Sequence, residues 1–341
     1  MPANALAPDP GAVKGRPMST LKVFTDLQAA PELIDWLRQS IAPHELLLPA
    51  PTGASVLSDV PTDPLMQEAD IVLGQPRTDA VLSSGKLKWL QVSTAGYTRY
   101  DTADFRAAVK ERGIPVTNSS RVYDDACAEH VMAFMLANAR QLPIGLATRC
   151  PNGVPEWNAI RANSRLLQGQ SLLIVGYGAI AERLVELLAP FRMKITAMRR
   201  APRGDEKVTI VTPAEVDAAL VDADHVINIL PDNPESRQWF NAARFSKMKQ
   251  GVIFHNIGRG TTVNQEDLAA ALASGQVGAA WLDVTDPEPL ADDHILWTFP
   301  NCYITPHTAG GQGGESKVLI QHFLDNFALY QKGETLVNQV M

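Results

Sequence analysis

Three short stretches carry side chains that could do chemistry together. "FHNIGRGTTVNQEDLAAAL" (254–272) sets Arg259 between two glycines, directly after an apolar run. "AAWLDVTDPEPL" (279–290) offers Asp283, Asp286 and Glu288, and "NCYITPHTAGG" (301–311) places His307 after a short apolar run and a proline. An anionic 2-oxo acid needs a fixed cation beside its carboxylate and carbonyl, and arginine offers a planar fork. Reducing its carbonyl needs a proton donor with a pKa near neutrality, which is histidine's ordinary range. A carboxylate beside that histidine favours the imidazolium and orients the ring. Arg259, His307 and Glu288 can fill these roles in that order. Singly, each has a plainer use. Arg259 could pair with a helix end, Glu288 could be a turn residue, and His130, His255, His294 and His322 show that histidine alone signals little. The set of three carries the argument.

A second constellation concerns phosphate. "LLIVGYGAIAERLVELLA" puts Gly176 and Gly178 between a strand pattern and a helix pattern, with Ala181 at the third slot of G-x-G-x-x-G/A. The first glycine makes the tight turn, and the second lets backbone approach a pyrophosphate seated on the helix N-terminus. Tyr177, Ala179 and Ile180 belong to that turn. The next strand ends in "AMRRAPR" (197–203). There an acid binds the 2′-hydroxyl of NAD, while arginine accommodates the 2′-phosphate of NADP. Arg199, Arg200 and Arg203 stand there with no acid before Asp205, so NADP(H) is the expected cofactor and NAD(H) the second possibility. The cofactor-binding set is completed by Leu230, Pro231, Ile257, Gly258 and Asp283, at or just beyond the ends of later strands.

These residues need a parallel sheet to position them. Strand patterns at 21–25, 69–74, 87–94 and 114–118 alternate with helix patterns at 31–39 and 102–113. A long, largely apolar helix is expected over 124–142, buried between layers and stopped by Pro143, followed by an irregular connection over 150–169. A second series has strands at 171–176, 193–198, 225–230, 251–256, 277–284 and 302–306. Its helices are expected at 179–189, 213–221, 235–247 and 264–274, with a closing amphipathic helix at about 315–331. Alternation of this kind implies βαβ units and parallel sheets. Ligands then sit at the carboxyl ends of the strands.

Composition sets the outer bounds. With 341 residues, 45% of them hydrophobic and 20% charged, the chain has room for two domains. A net charge of −7 argues against nonspecific nucleic-acid binding. No apolar run is long enough to span a bilayer. Cys127, Cys150 and Cys302 are odd in number and widely spaced, which suits a reducing compartment, and cytoplasmic location is the expectation. No metal site is indicated. Residues 1–18, rich in Pro, Gly and Ala, read as a mobile tail, and Met18 is a candidate start.

Taken in order and spacing, "GYGAIA", "NIGRGTTVNQEDLAAAL", "WLDVTDPEPL" and "ITPHTAG" resemble the D-isomer-specific 2-hydroxyacid dehydrogenases, over roughly residues 85 to 310. The arginines after the second strand resemble the glyoxylate/hydroxypyruvate reductase branch. The resemblance implies that Arg259, Glu288 and His307 are the catalytic residues. It implies that "VSTAGYTRYD" (92–101) holds the substrate carboxylate through backbone N–H groups around Ala95 and Gly96. It also implies two doubly wound parallel-sheet α/β domains with a cleft between them. A Rossmann nucleotide domain (122–310) would be inserted into a flavodoxin-like substrate domain (19–121 with 311–341). The implied partner is a small 2-oxo or 2-hydroxy acid, and the implied assembly is a homodimer. Two alternatives share the fold. Formate-oxidising relatives carry glutamine where Glu288 stands, which argues against that activity. A dinucleotide-sensing, corepressor-like binding protein is the alternative from another class.

Overall fold

The computed structural model describes residues 20–49 and 62–341, so the tail expected over 1–18, with Met18, lies outside the described residues. The first sheet contains β1 (Lys22–Thr25), β2 (Glu45–Leu47), β3 (Ile71–Gly74), β4 (Trp89–Val92) and β5 (Val116–Thr117). All pairings are parallel, in the order β2-β1-β3-β4-β5. The second sheet contains β6 (Ser171–Val175), β7 (Lys194–Met198), β8 (Thr209–Val211), β9 (His225–Asn228), β10 (Val252–Asn256), β11 (Val277–Leu282) and β12 (Cys302–Ile304). Its order is β12-β11-β10-β9-β6-β7-β8, again all parallel. Both sheets are doubly wound, reversing direction at β1 and at β6. The reversal opens a crevice beyond the carboxyl ends of the strands. Central strands such as β3 and β9 are buried at every position, as expected where helices cover both faces.

Several local expectations are corrected. β2 and β8 were not anticipated; each is a three-residue edge strand, too short to show a period. The helix expected over 235–247 shrinks to Ala242–Phe245. Residues 233–239 are turns instead, with Asn233 Oδ1 accepting from the N–H groups of Glu235 and Ser236. The supposedly irregular 150–169 contains the helix Pro155–Asn163. The long helix runs Ser120–Ala139, and Gln141, at φ 54°, separates it from a short helix Leu142–Ala147. Pro143 therefore opens the second helix, where its missing N–H costs nothing, rather than stopping the first. Nor is the long helix buried all round: Arg121, Asp125, Glu129 and Ala133 form an exposed stripe at four-residue spacing.

That helix packs on both the Ala179–Leu188 helix beside the second sheet and the Glu315–Lys332 helix beside the first. The chain then returns to the first sheet. Val116 N–H donates to Met341 O (3.1 Å), and Asn118 N–H donates to Asn338 O (3.1 Å). Asn326 Nδ2 donates to Gln91 Oε1 (3.0 Å), which also accepts from Thr117 Oγ1 (2.7 Å). Trp89, fully buried, stacks on Phe323 and Tyr330 at 5.2 and 5.4 Å between ring centroids. Its Nε1 donates to Thr117 Oγ1 (2.9 Å). Among the described residues, no helix is long and apolar enough to cross a membrane.

Trp89 is thus the joint between the first sheet and the Glu315–Lys332 helix. Trp89→Ala should destabilise by about 3–5 kcal/mol, the usual cost of emptying a large aromatic site. Chemical denaturation should show a lowered midpoint, with amide exchange rising first in residues 315–332. An unchanged midpoint would refute the assignment.

Candidate active site

The glycine turn forms as its residue types require. Gly176 sits at φ 105°, a region L-residues avoid, and a β-carbon there would press on the Ile229 carbonyl. A β-carbon on Gly178 would meet open space, so nothing of the protein fills the ground in front of the helix that starts at Ala179. Ala181 is fully buried, in the core that helix shares with the Ser120–Ala139 helix and the second sheet. In front lies a cleft of about 690 Å³, lined among others by Gly176, Tyr177, Gly178, Arg199, Arg200, Arg203, Leu230, Pro231 and Trp239. Open ground at a helix N-terminus, flanked by three arginines, suits a pyrophosphate with a further anionic group.

The arginines are not equivalent. Arg203 is exposed. Arg200 Nη1 lies 3.1 Å from Glu235 Oε2, both side chains open to solvent. Arg199 Nη1 lies 3.6 Å from Glu206 Oε1 in a half-buried setting. Glu206 and Glu235 escaped the sequence reading. Glu206 follows the strand end by several residues and returns only because the loop folds back. Glu235 comes from a turn that reads as helix.

The acid–base residues meet at the carboxyl ends of β11 and β12. His307 Nδ1 lies 2.9 Å from Glu288 Oε2, and Glu288 Oε1 accepts from Thr285 N–H (3.0 Å). The hydrogen bond to Glu288 raises the His307 pKa above its ordinary value, against burial and the nearby Arg259 charge, which lower it. Burial pushes the Glu288 carboxyl up, but hydrogen bonds from His307 and Thr285 outweigh it and hold the group below its ordinary value. With Nδ1 engaged, Nε2 is the ring nitrogen left to face a substrate.

Arg259 reaches across to the first sheet. A β-carbon built on Gly96 would run into its guanidinium, so a side chain there would push the flexible end of Arg259 aside. The loop bearing Gly96 is fixed through its carbonyls: Asn118 Nδ2 donates to Ala95 O (2.7 Å) and Thr94 Oγ1 to Gly96 O (2.6 Å). Thr98 Oγ1 donates to Asp232 O (3.3 Å), a second contact between loops of the two sheets. Behind Arg259, Thr262 Oγ1 and Asn256 Nδ2 both donate to its carbonyl (2.6 and 3.1 Å). Asn256 Oδ1 accepts from Gly258 N–H (3.1 Å) and Asn228 Nδ2 (3.0 Å), which ties Ile257 and Gly258 into the same turn. The sequence reading passed over Asn228, Asn256 and Thr262. The signal was two asparagines at the ends of otherwise apolar strands.

Asp283 is placed behind this site rather than open to the cleft; its side chain is 1% exposed. Its Oδ1 accepts from Thr305 Oγ1 (2.6 Å) and Thr308 N–H (2.8 Å), and its Oδ2 from Ala309 N–H (2.9 Å). The Asp283 carbonyl accepts from His307 N–H (2.9 Å). His130 Nε2 approaches Asp283 Oδ1 at 3.8 Å, and burial lowers the His130 pKa despite that neighbour.

The chain is similar to known proteins in both sequence and fold. A family model described as "D-isomer specific 2-hydroxyacid dehydrogenase, NAD binding domain" matches residues 132–309. A glyoxylate reductase/hydroxypyruvate reductase of Mus musculus is 36% identical over 201 residues, 58% of this chain and 61% of that one. Glyoxylate/hydroxypyruvate reductase B of Klebsiella pneumoniae is 33% identical over 252 residues, 70% of this chain and 75% of that one. Among solved structures, a D-isomer specific 2-hydroxyacid dehydrogenase family protein from Aeromonas salmonicida superposes with a TM-score of 0.76 at 27% identity, covering 95% of this chain and 99% of that one.

The pairing of His307 with Glu288 has a direct readout. In Glu288→Gln the neutral amide no longer favours the imidazolium, so the His307 ring signals should titrate at lower pH by NMR. A titration unmoved by the substitution would show that Glu288 does not set the charge of His307.

Proposed function

Because the chain belongs to the D-isomer-specific 2-hydroxyacid dehydrogenases, we propose that it reduces a small 2-oxo acid of the glyoxylate or hydroxypyruvate type to the D-2-hydroxy acid, preferring NADPH over NADH. Such a family member is an NAD(P)-dependent oxidoreductase. The observation that carries the reading is the His307–Glu288 pair standing within electrostatic reach of an Arg259 laid against Gly96.

The nicotinamide, when bound, supplies a hydride to the substrate's C2. The chain's residues do the rest. Backbone N–H groups of Ala95 and Gly96 hold the substrate carboxylate. The Arg259 guanidinium binds the same carboxylate and polarises the 2-oxo group. His307, protonated on Nε2, gives that proton to the carbonyl oxygen as negative charge develops there, and Glu288 stabilises the charged ring until transfer. In the oxidative direction neutral His307 takes the proton back. Because Glu288 raises the His307 pKa, the proton donor persists to higher pH than a free histidine would allow. Reduction should therefore lose its alkaline limb to lower pH in Glu288→Gln. Arg199, Arg200 and Arg203 would meet the 2′-phosphate, and the relatives named as glyoxylate/hydroxypyruvate reductases support the substrate class.

We further place the substrate domain at 19–121 with 311–341 and the nucleotide domain at 122–310. The free cysteines suit the cytoplasm. A homodimer is supported by Leu142, Ile144, Leu146 and Leu166, large apolar side chains left 47%, 48%, 83% and 68% exposed between residues 142 and 166 of the nucleotide domain.

The test is turnover of glyoxylate, hydroxypyruvate, pyruvate and phenylpyruvate with NADPH and NADH in parallel. His307→Ala should lower kcat by about 10²–10⁴-fold while nucleotide binding persists. A variant that kept both would disprove the acid–base role. Turnover itself separates an enzyme from a cofactor-sensing binding protein. Arg199→Asp should abolish the NADPH preference; a preference that survives it would remove Arg199 from 2′-phosphate recognition.

A further inference from the structure

Two of the three arginines at the cleft already face a carboxylate, and the two pairs differ in kind. Arg200 and Glu235 are 75% and 77% exposed, a setting where water and salt screen the pair almost completely. Arg199 and Glu206 are 17% and 5% exposed, and the Glu206 carboxylate has further partners. Its Oε1 accepts from Arg203 N–H (2.7 Å) and its Oε2 from Gly204 N–H (2.8 Å). A guanidinium plus two successive backbone N–H groups is the partner set that an incoming phosphate would use. Here an internal anion holds it. Arg199 lines the cleft, whereas Glu206 lines a separate groove, beside Val185, Arg192 and Lys207.

We infer that Glu206 is a cofactor-specificity residue acting against the 2′-phosphate: its carboxylate neutralises Arg199 and occupies the N–H groups of Arg203 and Gly204. The inference rests on reading this cleft as the adenosine end of the cofactor site. A phosphate beside Arg199 comes well within the Debye length of Glu206, about 8 Å at physiological salt, and is repelled. A ribose 2′-hydroxyl is neutral and is not. Glu206 thereby holds affinity for NADPH below what three arginines would give and leaves NADH admissible at the same site.

The test is calorimetric binding of 2′,5′-ADP and 5′-ADP to the full chain, its Glu206→Gln and Glu206→Ala variants, and each variant combined with Arg199→Gln. Both single variants should bind 2′,5′-ADP about fivefold more tightly, the scale of one partly screened charge pair. Binding of 5′-ADP should not change, and the gain should shrink, without vanishing, in the Arg199→Gln background, because the freed N–H groups of Arg203 and Gly204 remain. If Glu206 were instead only a brace for the loop, both variants would bind 2′,5′-ADP more weakly or unchanged, and the inference would fall. An equal gain for both probes would overturn it too, since the effect would then not be specific to the 2′ position. The NADPH preference itself is judged on the wild type against Arg199→Asp, so either reading can fail without the other.

Discussion

One buried carboxylate anchors the turn on which the chemistry depends. Asp283 directly follows β11, almost without solvent contact, and its oxygens take the Thr305 hydroxyl and the N–H groups of Thr308 and Ala309. Burying a charge is costly unless such donors compensate it. The compensation comes from residues on either side of His307, so the charge can be buried only if the turn is closed. The closed turn leaves His307 at φ 52°, a conformation that costs on the order of 1–3 kcal/mol and persists only where its surroundings fix it. In that position its Nδ1 meets Glu288.

The other half of the site depends on an absence of side chain. Arg259 belongs to the second sheet and Gly96 to a loop of the first, and with no β-carbon at Gly96 the guanidinium lies directly against that loop. The buried Asn228, Asn256 and Thr262 network stiffens the turn behind Arg259, and Asn118 stiffens the loop in front. The two sheets therefore present rigid edges to each other, with Thr98 touching Asp232 at the rim.

Much of this was legible in the chain because it is written in local chemistry. Strands buried on both faces stand out as apolar runs, and the glycines of "GYG" announce a turn between a strand and a helix. Arg259, Glu288 and His307 were legible through their neighbours, each just past a strand end. What was missed is what folding brings together. Edge strands β2 and β8 are too short for a pattern. Pro234 and the Asx turn at Asn233 defeat an otherwise helical stretch. Glu206 reads as a solvated acid until the loop returns it to Arg199. Asp283 reads as a cofactor-side acid just past a strand end, and its burial is known only when Thr305, Thr308 and Ala309 arrive around it.

The return of residues 315–341 to the first sheet bears on the order in which the molecule can be made. Trp89 leaves the ribosome long before Phe323 and Tyr330, the rings that cover it, and β5 waits for Met341 to take its N–H. The second sheet, spanning 171–304, has all its strands before those partners exist. During synthesis the half made first is thus the half finished last. Its exposed tryptophan face is the surface that a nascent chain would present to chaperones for most of its translation.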